Sequence, residues 1–412
     1  VFKRIAAIAF ILVCTSIGWA ILGSTIFYRT YSMEPELKSR VASTWGTAQE
    51  QAAPTATYVT GSVRQIMVTK NAEQVAQTVD DREYHALPLQ KSRVNAALHL
   101  DYRRKGLLWY STYAVRFSGT YEFSNPDDQL REATFTLHLP AEHAIYDDVV
   151  FAVNGTTLTV STAKQDTYAT TTVPPRQTAV LNVGYQSQGL DTWQYVFGDS
   201  VNQVHDFEMR LMTDFSGFDF PENTLSPTEE HPVGNGWELV WRYTNLVSGY
   251  KIGLAMPERI QPGPLTARIS YFAPVSLLFF FFVLFTLTTI RGIELHPMNY
   301  FFLACAFFSF HLLMAYLVDH ISIHAAFVIC SFVSVFLVVS YLRLAVGMRF
   351  AALEAGLAQF VYLILFSYAF FFEGFTGLAV TIGAILSLFV AMQVTGRVRW
   401  AEKFAARGAS AI

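Results

Sequence analysis

The sequence predicts a membrane α-helical bundle of six transmembrane helices, one N-terminal and five C-terminal, joined to a large all-β, sandwich-like domain. Three observations predict it. Six apolar segments, Ile5–Tyr28, Tyr271–Ile290, Tyr300–Val318, Ile321–Leu342, Ala352–Phe372 and Phe375–Thr395, each approach the ~20 residues that cross a ~30 Å hydrocarbon core. The stretch between the first and the second is polar and rich in short β-branched or alternating runs. Charged residues make up only 15% of the chain and hydrophobic residues 52%, against ~25% charged in soluble domains.

The first segment follows Lys3 and Arg4, which resemble the n-region of a signal peptide. Its apolar run exceeds the usual ~7–15-residue h-region and no A-x-A site follows, so it is read as an uncleaved anchor. Cations recur on one side only. Arg291 follows the second segment, Arg343 and Arg349 the fourth, and Arg397, Arg399, Lys403 and Arg407 the sixth. The opposite short loops carry Asp319 and His320 in one and Glu373 in the other, with no Lys or Arg. The positive-inside rule then places both termini in the cytoplasm and the large domain in the periplasm. The expected organisation is an anchor at 1–28, a periplasmic β-rich domain at 29–268, five transmembrane helices at 269–396 and a cytoplasmic tail at 397–412. Cys14, Cys305 and Cys330 all fall within spans, which leaves the outer domain without disulfides and excludes a cysteine-based zinc site.

In the outer domain the clearest unit is Val149–Ser161, where Asn154-Gly155 tolerates the positive-φ pair of a type I′ hairpin turn. Further strands are expected at Leu108–Phe117, Ala133–Leu139, Tyr168–Val173, Thr178–Gln186, Trp193–Gly198, His205–Asp214, Trp237–Tyr243 and Tyr250–Met256. Glu34–Gln51 and Ala72–Asp80 read as helices, and Pro257–Pro264 as a stiff linker. An acidic cluster, Asp206, Asp214, Asp219 and Glu222 with His205, could bind a cation or act as acid and base. Its spacing matches no EF-hand loop, and Asp is common where strands turn, so it is read as structural. The alternating aromatics Trp193, Tyr195, Trp237, Trp241 and Tyr243 are read as core.

In the spans, ionisable groups are scarce, whereas pumps and proton-coupled carriers keep them there for function. His311 lies well inside the third span, beside Ser309, and Glu354 in the first turn of the fifth. Asp319, His320 and His324 sit at the outer boundary, and a metal there would need a further ligand such as Glu373. His296-Pro297 reads as a helix-start device. Small residues in the sixth span, Gly377, Ala379, Gly383 and Ala384, predict close helix packing.

Three motifs carry a resemblance: LHPMNY at Leu295–Tyr300, LVDHISIHAAF at Leu317–Phe327, and TGRVRW at Thr395–Trp400. In this order and spacing the region Ala273–Trp400 resembles the CreD family of bacterial inner-membrane proteins, the cell envelope integrity proteins. That family typically reads LHP-x-x-Y in the loop and ends its last span in T-R-x-x-D-W. Here Arg399 stands in the acidic position, and Glu373-Gly374 stands where Glu-Asp is common. The resemblance implies an inner-membrane protein of Gram-negative bacteria linked to envelope integrity, and supplies no catalytic residues.

Taken together, the expectation is a non-enzymatic inner-membrane protein without cofactor or metal, whose β-domain makes protein or envelope contacts, as a scaffold or an accessory subunit of a larger membrane complex. The candidate functional polar residues are His296, His311, Asp319, His320, His324 and Glu373. Expected partners are membrane lipids and proteins of the inner membrane or periplasm, with a homo-oligomer also compatible; no basic stripe suggests nucleic acid. The alternatives are a transporter or lipid-handling protein lined by His311 or Glu354, and a membrane metalloenzyme using Asp319, His320 and His324.

Overall fold

The computed structural model describes residues 2–70, 73–198, 202–372 and 374–396, with side chains at all but 2, 63–70, 73–79 and 202. Glu373, Arg397, Arg399, Trp400, Lys403 and Arg407 lie outside the described residues. The chain forms two compact units. One comprises residues 1–36, 106–108 and 260–412; the other comprises 37–105 and 109–259.

The first unit is helical. Its spans are α1 (Phe2–Tyr31), then, after a short helix α2 (Glu34–Trp45) that mostly belongs to the other unit, α3 (Pro262–Arg291), α4 (Pro297–Leu317), α5 (Ile323–Val346), α6 (Phe350–Phe371) and α7 (Thr376–Thr395). Six of the described helices are long and apolar enough to cross a membrane. Helix α3 begins at Pro262, inside the stretch read as a linker. Proline fits a first turn, where its missing N–H would have had no partner. Helix α6 is not a regular α-helix. Two π-helical segments, Phe350–Ala355 and Phe360–Leu365, flank an α-helical turn at Gly356–Gln359. The N–H of Gly356 reaches Ala351 O and that of Phe366 reaches Val361 O, the i−5 bonding that defines a π turn. The small residues of α7 do not mediate close packing. No residue of this helix is buried, and a Cβ added at Gly377 or Gly383 would meet nothing within 4 Å.

The second unit is all-β apart from α2. An eight-stranded sheet runs in the order Thr156–Thr157, Tyr146–Val153, Thr178–Leu190, Leu108–Ser124, Leu89–Lys105, Asn202–Thr213, Gly236–Ser248, Glu229–Val233. A five-stranded sheet contains Ser161–Ala163, Asp166–Val173, Arg131–His138, Thr55–Thr60 and Glu83–Ala86. One core joins their inward residues, among them Phe117, Tyr121, Leu181, Phe207 and Trp241 from the larger sheet and Ala133, Phe135 and Leu137 from the smaller. This is the sandwich expected when two half-apolar sheets cover each other. A three-stranded sheet of Gln49–Ala52, Thr192–Val196 and Ile252–Ala255 contributes Trp193, Tyr195, Ile252 and Leu254 to the same core.

Asn154 and Gly155 adopt φ of 52° and 77°, the left-handed pair of the expected hairpin. Helix α2 is shorter than the sequence suggests. Gly46, at φ 94°, directly follows its last residue, Trp45, and any Cβ there would collide with Gln188 O at 2.3 Å. The stretch read as a helix at Ala72–Asp80 is a strand from Glu73 to Asp80, paired antiparallel with Val63–Lys70 over eight residues. A weak local helix preference gives way there to a full ladder.

Candidate functional site

The residues singled out in the helical unit serve separate local purposes. His296 caps α4: the Met298 N–H donates to its Nδ1 at 3.2 Å, next to Pro297 in the first turn. His311 is buried, and its Nδ1–H donates to the Phe307 carbonyl at 3.1 Å. Its ring lies edge-on to Trp19, with centroids 5.7 Å apart, and Nε2 finds no partner among the described residues. The Asp319 carboxylate accepts from Arg29 Nη2 at 3.0 Å. His324 leans on the ring of Phe371, with centroids 5.2 Å apart. His320 is exposed. Among the described residues no three His, Cys, Asp or Glu side chains converge as metal ligands. Glu354, near the end of α6 that follows α5, accepts from Arg291 Nη2 at 2.5 Å.

Sequence reasoning missed a polar seam through three helices. Buried Gln359, on the α-helical turn between the two π segments, donates from Nε2 to Ser334 Oγ at 2.8 Å. Ser334 in turn donates to the Ala306 carbonyl at 2.7 Å, so α6, α5 and α4 are tied in sequence. Ser276 of α3 donates to the Tyr362 carbonyl within the second π segment. A π turn loosens the usual carbonyl pairing, which leaves such an oxygen free for a neighbouring helix.

The acidic cluster of the β unit is likewise divided among partners. Asp206 binds Arg93 at 2.5 Å. Asp219 accepts from the Phe220 N–H, and its own backbone pairs with Ala255. Glu222 is exposed. Asp214 alone enters a larger constellation. It takes the Leu100 N–H at 3.1 Å and the Nδ1–H of His99 from the neighbouring parallel strand.

That pair sits on the solvent face of the eight-stranded sheet, in a concavity of about 580 Å³. Alternation builds this face. On Leu108–Ser124, Tyr113, Val115 and Phe117 point into the core, while Ala114 and Arg116 point out. The register sets Arg116 opposite Gln186 and Ala114 opposite Gln188, and sets Ala97 opposite Met212. Small Ala97 and Ala114 form a floor, and Arg116, Gln186, Gln188, His99 and Asp214 form a polar border. Met212 contributes exposed apolar surface at 45%, and Ile145 at 75%. Further along the Asn202–Thr213 strand on the same face, Glu208 lies between Arg210 at 2.9 Å and Arg242 at 3.4 Å. The hydrogen bond from Arg210 holds its carboxyl below the ordinary glutamate range. The period-2 pairs Ala97/His99, Ala114/Arg116 and Gln186/Gln188 are visible in the sequence, but nothing in one strand reveals which other strands lie beside it.

A family model described as inner membrane protein CreD matches residues 1–199 and 243–401. The match therefore includes the β unit up to residue 199 and again from residue 243, well beyond the region of motif resemblance. No curated protein matches. Among solved structures, a crystal structure described as a nutrient-binding protein of Legionella pneumophila is similar at 11% identity and a TM-score of 0.34, over 56% of this chain and 76% of that one. A variant of an M1 zinc metallopeptidase from Deinococcus radiodurans is similar at 10% identity and a TM-score of 0.27, over 40% of this chain and 42% of that one.

Proposed function

The chain belongs to the CreD family of multi-pass inner membrane proteins, and from that premise we propose that it is a non-enzymatic envelope protein whose helices hold a β-domain for contact with protein or envelope partners. Both termini face the cytoplasm in this reading, and the β-domain faces the periplasm, as the one-sided distribution of Lys and Arg favours. The helices tie the protein to membrane lipids and, in the fuller form of the proposal, to a larger complex in which it serves as an accessory subunit.

The observation that carries the reading is the concave sheet face. It joins exposed apolar side chains, Met212 and Ile145, to a polar rim that includes Arg116 and Gln188. Apolar surface enclosed by polar groups is the usual composition of a protein interface. The test is purification of the full chain in mild detergent from native membranes, alongside the variants Arg116→Glu and Met212→Asp. Both positions are solvent-facing, so the fold should tolerate the changes. The expected result is a near-stoichiometric partner that both variants lose. A partner retained equally by both variants, or a lone monodisperse protein, would overturn the assignment of this face.

A further inference from the structure

We propose that a groove bordered by α3, α6 and α7 binds an aminophospholipid, with its acyl chains along the apolar walls, its phosphate on Arg291 and its ammonium on Glu354. The groove has a volume of about 790 Å³ and is walled by side chains such as Phe282, Leu357, Leu365 and Val390. Its lining on α6 runs from Leu353 to Ala369, most of the length of that span. Helix α7 contributes Gly383 and Ala384 to the lining yet has no buried residue.

The chemistry at one end selects the headgroup. Glu354 is the one carboxylate among the lining residues. Its Oε1 accepts from Arg291, while Oε2 is enclosed and without a partner among the described residues. A carboxylate oxygen enclosed beside apolar walls is costly unless a donor reaches it. Arg291 closes α3 with a side chain 59% exposed, so guanidinium N–H groups beyond the one on Glu354 are accessible to an anion. An anion beside Arg291 and an N–H cation beside Glu354 together complement this pair. A phosphate ester of a primary amine carries both charges on one headgroup. A trimethylated amine lacks the N–H donor, and an anionic lipid without an amine lacks the cation. The site belongs to the helical unit and stands independently of the sheet face, so either assignment can fail without the other.

The experiment is native mass spectrometry of the full chain after exchange into an equimolar mixture of phosphatidylethanolamine, phosphatidylcholine and phosphatidylglycerol. Retention of phosphatidylethanolamine is expected at about tenfold over the other two, the size of one charge-assisted hydrogen bond. Glu354→Gln should reduce that preference to below about twofold, since a neutral amide no longer attracts the ammonium. Gly383→Leu should lower retention of all three lipids by filling the groove. Gly377→Leu, equally unobstructed but away from the lining, should leave retention unchanged and serves as the folding control. Equal retention of the three lipids would overturn the proposal, as would a preference that survives Glu354→Gln, or a Gly383→Leu protein indistinguishable from Gly377→Leu. A second copy of the chain cross-linked along α7 would also overturn it.

Discussion

The two units bury polar groups under different rules, because one is built against water and the other against hydrocarbon. In the β unit the core holds tyrosines whose hydroxyls reach partners far away in sequence. Tyr185 donates to Gln51 Oε1 at 2.7 Å, Tyr113 donates to the Thr192 carbonyl at 2.7 Å, and Tyr121 and Tyr195 share a contact at 3.3 Å. Burial raises the hydroxyl pKa of Tyr113, Tyr121 and Tyr185 well above the ordinary phenol range, so they remain neutral donors. Charges stay outside, as in the Glu208–Arg210–Arg242 group. The helical unit instead relies on apolar packing and a few short side chains that return to backbone carbonyls, with the Ser334–Gln359 seam as its polar core. Water offers the unfolded β unit a competing solvent, so burial of apolar area drives its folding. Lipid offers no such contrast, so packing and hydrogen bonds must serve.

The largest effect expected from this contrast is in the β core. Trp241 is fully buried, and its Nε1 donates to the Leu225 carbonyl at 2.8 Å. Trp241→Ala should cost about 3–5 kcal/mol in denaturant unfolding followed by near-ultraviolet circular dichroism. A cost below ~1 kcal/mol would mean that the sandwich core is not what holds this unit together. Next comes Gln51, whose Nε2 donates to the His138 carbonyl at 3.0 Å while its Oε1 accepts from Tyr185. Gln51→Leu should cost about 1–3 kcal/mol, because it leaves the buried Tyr185 hydroxyl without its acceptor and removes the part-buried bond to the His138 carbonyl.

The counterpart in the bundle, Gln359→Leu, should cost less, about 0.6–1.7 kcal/mol in a reversible detergent unfolding titration. A Gln359 effect larger than that of Gln51 would reverse the comparison. Smaller still is the exposed Arg29–Asp319 pair. Arg29→Ala should change stability by no more than about 1 kcal/mol, and the difference should shrink as salt is raised. The last test concerns pH. Glu208 has its pKa lowered in the folded state by Arg210, so its contribution is present above the ordinary carboxylate range and is lost as pH falls through the depressed value. Melting of the β unit should therefore fall less steeply with acidification in Glu208→Gln than in the parent chain. Parallel acid limbs would remove Glu208 from the account.

Much of this architecture was legible in the residues, and the parts that were not share a cause. The Asn154-Gly155 hairpin was legible because its turn chemistry is local. The strand Leu89–Lys105 was not expected at all. Its strongly charged sequence has little intrinsic β preference, and apolar alternation is confined to Val94–Tyr102, where Val94, Ala96 and Leu98 face the core. The Glu73–Asp80 strand was read as helix for the same reason, since its partner at Val63–Lys70 is what makes it a strand. In the spans the conspicuous histidines drew attention, whereas the seam runs through Gln359 and Ser334 to the Ala306 carbonyl, with Ser276 bonded separately to Tyr362, and these residues look unremarkable one helix at a time. The groove depends on where α7 stands, and its glycines suggested the opposite, close packing.

What the sequence alone determined is the inventory of elements whose signal is short-range: six apolar segments long enough to span a bilayer, a β-rich region between the first two, and the motifs of one inner-membrane family. Hydropathy and turn chemistry are written within a few turns of chain, so they survive without coordinates. Tertiary structure decided which strands became neighbours, which side chains met on the sheet face, where α6 became π-helical and which carboxylate oxygen was left without a donor among the described residues. Those outcomes depend on pairings between residues far apart in sequence, whose energies exist only once the chain has closed upon itself.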